Sequence, residues 1–199
     1  MSQDSRNTPG WDSSLATLHT LMPSDHDADE QIDWSTLTQQ WGTAFPADYI
    51  SFMAAYGPGS ISDSLALVPP SSPSVDGTSI MGQETANALA NLQGSTDLSV
   101  HSASKPAVIA WGVTVVGDIA CWDTRNPDPD AWTVLVFKNR TKTAWTAFDC
   151  NMTEFLCRTF TGEFERNPFG DDTVWNHTPQ RFVHHSEDFQ DFDDPWAGL

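Results

Sequence analysis

The feature that most constrains this chain is a change of hydrophobic period near Pro106. Before it, apolar residues recur three and four apart, as on one face of a helix. After it they form short β-branched and aromatic runs at 108–116, 118–122, 132–137 and 144–148. Gly117, a loop at 123–130 holding two prolines, and the polar stretch 138–142 separate those runs. Successive short strands with tight connections pair antiparallel, and helices gathered before them make an α+β chain.

The helical half reads in segments. Leu15, Leu18 and Leu21 mark a short helix that Asp12 or Ser13 can cap and Pro23 stops. Trp34, Leu37 and Trp41 mark a second, with Gly42 suited to its C-terminal cap. Tyr49, Ile50, Met53 and Tyr56 mark a third, with Pro46 at its first helical position and Gly57 at its end. Gly57-Pro58-Gly59 is a turn. Ile61 and residues 65–68 read as strand, followed by a loop rich in Ser and Pro. A helix is expected over 83–93, with Ala86, Leu89, Ala90 and Leu92 as its buried side. Asn151, with Glu154 three residues on, opens a closing helix at 152–160, and Gly162 ends it. The expected fold is thus α+β, with N-terminal helices, a mainly antiparallel sheet of about five or six strands, a closing helix and an acidic, aromatic C-terminal extension. Its parts are 1–30 (helix and acidic linker), 31–162 (the α+β domain) and 163–199 (the extension).

Charge decides which partners the chain can have. It carries 27 acidic and 9 basic residues, a formal net charge of −18. Such a surface repels nucleic acid and anionic membranes alike. It attracts a basic protein, with solubility alone as the plainer explanation. No apolar run approaches the roughly 18 residues of a membrane span, and the polar start lacks the pattern of a signal peptide. The expected compartment is therefore the cytoplasm. Cys121, Cys150 and Cys157 are odd in number and have no CxxC spacing, so they read as reduced structural residues.

No motif for chemistry stands out. There is no Gly-x-Ser-x-Gly elbow and no thiol-protease signature, and Gly57 to Ser60 lacks the lysine and spacing of a phosphate loop. His184 and His185 with Glu187 and Asp188 could bind a metal, but adjacent histidines in extended chain point to opposite sides and rarely serve one ion. No catalytic, cofactor or metal residues are expected. Of the nine tryptophans, Trp34, Trp41, Trp111, Trp132 and Trp145 sit on apolar faces and read as core. Trp122, next to Asp123 and the Pro-rich loop, is a better surface candidate than these, though core or edge packing is the favoured role for it.

One stretch resembles a known family. Phe45-Pro46-Ala47-Asp48-Tyr49, Ile50-Ser51-Phe52-Met53, Tyr56-Gly57 and Gly59-Ser60-Ile61 resemble the opening signature of the SUKH superfamily. Trp111-Gly112, Gly117-Asp118, Cys121-Trp122-Asp123 and Trp132-Thr133-Val134 are similar to its strand-turn-strand block, and Phe155-Leu156 before Gly162 to its closing helix. The resemblance spans roughly 31–162. It implies an interaction module and not an enzyme: bacterial members bind and block a toxin, often a nuclease. Fungal members regulate cell-wall assembly, so a scaffold without a toxin is the alternative, and a hydrolase the third. The basic partner would meet Asp118, Trp122, Asp123, Asp128 and Asp130, expected near one edge of the sheet. Glu187, Asp188, Asp191 and Trp196 could act as a second arm, with a solvated or self-packed end of the chain as the favoured reading.

Overall fold

The computed structural model describes residues 10–24, 31–93, 106–139 and 145–186. Helices α1 (Gly10–Leu21), α2 (Trp34–Trp41) and α3 (Ala47–Tyr56) come first, then strands β1 (Gly59–Ile61) and β2 (Leu65–Leu67). Helix α4 (Ile80–Gln93) precedes β3 (Val108–Thr114) and β4 (Ile119–Asp123). A 3₁₀ turn (Pro129–Ala131), β5 (Thr133–Phe137), β6 (Trp145–Phe148), α5 (Met152–Phe160) and β7 (Phe182–His184) complete it. The strands make one seven-stranded sheet in the order β6-β5-β4-β3-β2-β1-β7. Every neighbouring pair is antiparallel. The α+β class and the antiparallel sheet are as the sequence led us to expect.

The sheet gains strands in two ways: one expected stretch is a pair, and one strand comes from a place where none stood out. The expected strand after Gly59 is a hairpin: Ile61 faces Leu65, and the Ser64 N–H donates to the Ile61 carbonyl at 3.0 Å. Its central residues, Ser62 and Asp63, both have positive φ, the tight turn that suits a twisted hairpin. The other is β7, which pairs with β1 from far along the chain. Gly59 is required at that join, since a Cβ there would lie 2.3 Å from the Val183 carbonyl oxygen. The stretch after α5 therefore builds the body: Phe169 and Val174 are buried in the core, and β7 closes one end of the sheet.

Both faces of the sheet are covered, which explains apolar runs with little alternation. On one face Ile109, Trp111, Ala120, Trp122, Val134 and Val136 pack with residues of α1, α2, α3 and α5. On the other, Val108, Ala110, Ile119, Cys121 and Leu135 pack against α4. Helix α4 meets this face through Thr85, Ala88 and Leu92, with Leu89 half-buried against the same cluster, while Met81 belongs to the first cluster; Ala90 is exposed and Ala86 half-buried. Of the expected buried side, Leu92 is buried and Leu89 packs against the cluster, whereas Thr85 and Ala88 are buried in place of Ala86 and Ala90. The helix also starts earlier than expected, behind a Ser79 hydroxyl that accepts from the Gly82 N–H at 3.0 Å. The fully buried Trp122 ring is ringed by Tyr49 at 4.8 Å, Phe45 and Trp132 at 6.2 Å, and Trp111 at 6.3 Å. The Trp111 and Trp122 indole N–H groups have no acceptor among the described residues. Apolar burial and ring geometry hold the cluster together.

Carboxylates fix the helix starts. Asp33 caps α2, where hydrogen bonds from the Ser35 and Thr36 hydroxyls and the Thr36 N–H hold its carboxyl down at about 2. Pro46 precedes α3 without a capping side chain, and Asp130 accepts from the Ala47 N–H at 2.7 Å instead. Asp48, buried in the first turn of α3, accepts from the Thr153 N–H at the start of α5 at 3.0 Å. Burial pushes the Asp48 carboxyl above its ordinary value, against the pull of the Thr153 and Tyr49 N–H groups. The folded chain then holds that proton more tightly than the unfolded chain, so the charge costs stability as pH rises above about 4. Asp48→Asn keeps an acceptor for Thr153 and removes the charge. Its thermal midpoint is expected above that of the wild type near pH 7, with the gap narrowing toward about pH 4; melting curves across that range check this.

Candidate functional site

The best-defined feature is the acidic loop between β4 and β5. Its geometry comes from side chains that fold back on their own backbone. Asp123 Oδ1 accepts from the Arg125 N–H at 3.1 Å, Asn126 Oδ1 from the Asp128 N–H at 3.0 Å, and Asp128 Oδ1 from the Asp130 N–H at 3.1 Å. Each is a turn two residues long of the kind Asp and Asn favour. Pro127 and Pro129 fix the intervening φ angles. At the base, the Thr124 N–H donates to the Ala107 carbonyl at 3.1 Å and the Thr124 hydroxyl to Pro106. At the far end the Trp132 indole N–H donates to the Asn126 carbonyl at 2.8 Å. Asp130 ties the loop to α3. The loop is braced along its length, and Asp128 and Asp130 remain exposed on it.

The expected interface residues therefore separate. Asp128 and Asp130 lie together on this loop. Asp123 is nearly buried (9% exposed) and engages the Arg125 guanidinium, with Nε at 2.7 and 2.8 Å from its two oxygens. That pair occupies its charge, so Asp123 braces the loop and does not meet a partner. Trp122 is no anchor: it is wholly buried at the centre of the aromatic cluster. Asp118 is wholly buried too, and it precedes β4 while Asp123 ends it, about 17 Å along the strand. Strand β4 is an interior strand, so these residues do not share a sheet edge. Glu187, Asp188, Asp191 and Trp196 lie outside the described residues.

Asp118 has a structural task. Its Oδ1 accepts from the Asn139 N–H at 2.8 Å and its Oδ2 from the Gly170 N–H at 2.6 Å. It thus pins both the exit of β5 and the segment after α5 to the β3–β4 turn. Two charge-assisted hydrogen bonds lost from a buried site predict that Asp118→Ala lowers stability by about 3 kcal/mol, measurable by urea unfolding.

A pocket of about 390 Å³ lies beside β6, at the end of the sheet. Phe148 and Phe164 form its aromatic floor, and Lys138 and Arg166 bring cations to it. The sequence reading did not single these residues out; the available signal was cations gathered near β6 in a chain so poor in them.

Burial pushes the Cys121, Cys150 and Cys157 thiols up, so thiolate is scarce at neutral pH and these residues are weak nucleophiles. Among the described residues no group of three or more His, Cys, Asp or Glu side chains could hold a metal ion. No helix in that set is long and apolar enough to cross a membrane. Comparison with known proteins finds no family model, no curated protein and no solved structure that matches the chain.

Proposed function

We propose that this chain is a protein-binding module of the immunity type, which binds and neutralises a basic toxin domain such as a nuclease in the cytoplasm. One observation carries the reading: Asp128 and Asp130 stand exposed on a loop whose turns are fixed by side chains. A nuclease holds its substrate through basic groups that recognise phosphates. Carboxylates on a braced loop can take the place of those phosphates without the ordering cost that a flexible loop would meet. The net charge of −18 steers a basic partner toward the chain from a distance. The SUKH-like residues from Phe45 to Ile61 add to this reading, since α3 is the helix that Asp130 caps.

The test is association with a basic nuclease domain, taken from a neighbouring gene where one encodes it, followed by stopped flow at several salt concentrations. Asp128→Asn with Asp130→Asn keeps both side-chain carbonyls as acceptors, so the loop and the α3 cap survive while two charges go. Association is expected to slow about tenfold at low salt, with the melting temperature little changed. Association indifferent to both salt and this double substitution overturns the proposal.

A further inference from the structure

Strand β6 ends the sheet, and among the described residues no strand pairs with its outer side. Thr146 and Ala147 on it are exposed. Such an edge offers backbone donors and acceptors to any extended segment. The pocket beside it supplies the side-chain selectivity. Its floor is the Phe148 and Phe164 rings, 4.8 Å apart, and the Arg158 guanidinium sits 4.4 Å from the centre of the Phe164 ring. At its rim the Lys138 ammonium donates to the Asn167 carbonyl at 2.7 Å, which fixes the charge in place. Arg166 is exposed alongside, and Glu165 offsets part of this charge. An edge, an aromatic floor and a cationic rim together suit an extended segment in which aromatic and acidic residues are interleaved.

The chain carries one. Glu187-Asp188-Phe189-Gln190-Asp191-Phe192-Asp193-Asp194-Pro195-Trp196 follows directly on the last described residue. Reach decides whose pocket it can fill. Strand β7 and strand β6 are the two ends of the sheet, six strand spacings or about 29 Å apart. Phe192 is six residues past Ser186 and extends no more than about 21 Å. Phe192 therefore falls short of the pocket of its own copy, whereas Trp196, ten residues past Ser186, extends up to about 36 Å, so it is Phe192 as anchor that selects the pocket of a second copy. We propose that the segment 187–196 of one copy docks along β6 of a second copy. Phe192 would lie on the Phe148 and Phe164 rings, with the neighbouring carboxylates near Lys138 and Arg166. Local cations govern this contact because net repulsion between copies is screened beyond about 8 Å at physiological salt.

Sedimentation equilibrium of the full chain, from micromolar to near-millimolar concentration, tests this. The mass is expected to rise from monomer toward dimer. Phe192→Ala removes the anchor, and Arg166→Glu reverses the rim at an exposed residue. Each is expected to weaken self-association about tenfold or more while the melting temperature holds. Mixing the two variants leaves one intact tail and one intact pocket, so a heterodimer with a single contact is expected. A wild-type chain that stays monomeric throughout overturns the proposal. So does self-association that neither substitution weakens, which would place the contact on another surface.

Discussion

The burial of one indole ring, that of Trp122, sets much of the remaining geometry. It lies between α3, through Phe45 and Tyr49, and the strands, through Trp111 on β3 and Trp132 at the entrance to β5. Aromatic side chains bury the largest areas of any residue type and prefer edge-to-face contact. Their mutual packing therefore fixes both the distance and the tilt of α3 on the sheet. It also fixes the acidic loop, which leaves the core just after Trp122 and re-enters it at Trp132. The loop is anchored at both ends by the same cluster, and the Asp130 cap on α3 adds a third point.

Seen this way, the acidity of the chain divides into two populations. Asp33, Asp48 and Asp118 serve the backbone, each accepting N–H groups at a helix start or between segments. Asp123 is held by Arg125. Asp130 does both jobs, capping a helix with one oxygen while its side chain stays exposed. Net charge counts all of these equally, yet a partner senses a carboxylate in proportion to its exposure and to how fully its hydrogen bonds are already made.

Much of the fold was legible in the sequence. The closing helix has the predicted bounds, and the Asn151 side chain accepts from the Glu154 N–H at 2.9 Å, as its spacing implied. Gly42 ends α2 in the left-handed conformation. What escaped notice depended on distant partners. Nothing local marks residues 182–184 as a strand, because β7 is three residues long and exists only against β1. On α4, Leu89 and Leu92 face the sheet as expected, whereas Ala86 and Ala90 do not, because small residues carry little hydrophobic signal. For the candidate site, Asp128 and Asp130 were found by their charge. Trp122 is buried, as the favoured reading had it, and it and Asp118 drop out of the expected interface because adjacency in sequence says nothing of which way a strand residue points.

The pairing of β7 with β1 also has a consequence for synthesis. During translation β1 leaves the ribosome long before β7 has been made. Until β7 emerges, β1 presents an unsatisfied backbone ladder, and the Phe182 ring is missing from its place against Phe52 and Tyr56. The nascent chain therefore carries an open sheet edge while residues 62–181 are made, the state in which a stray strand from a neighbouring polysome could pair instead. The sheet closes in one late step and not by gradual accretion along the chain.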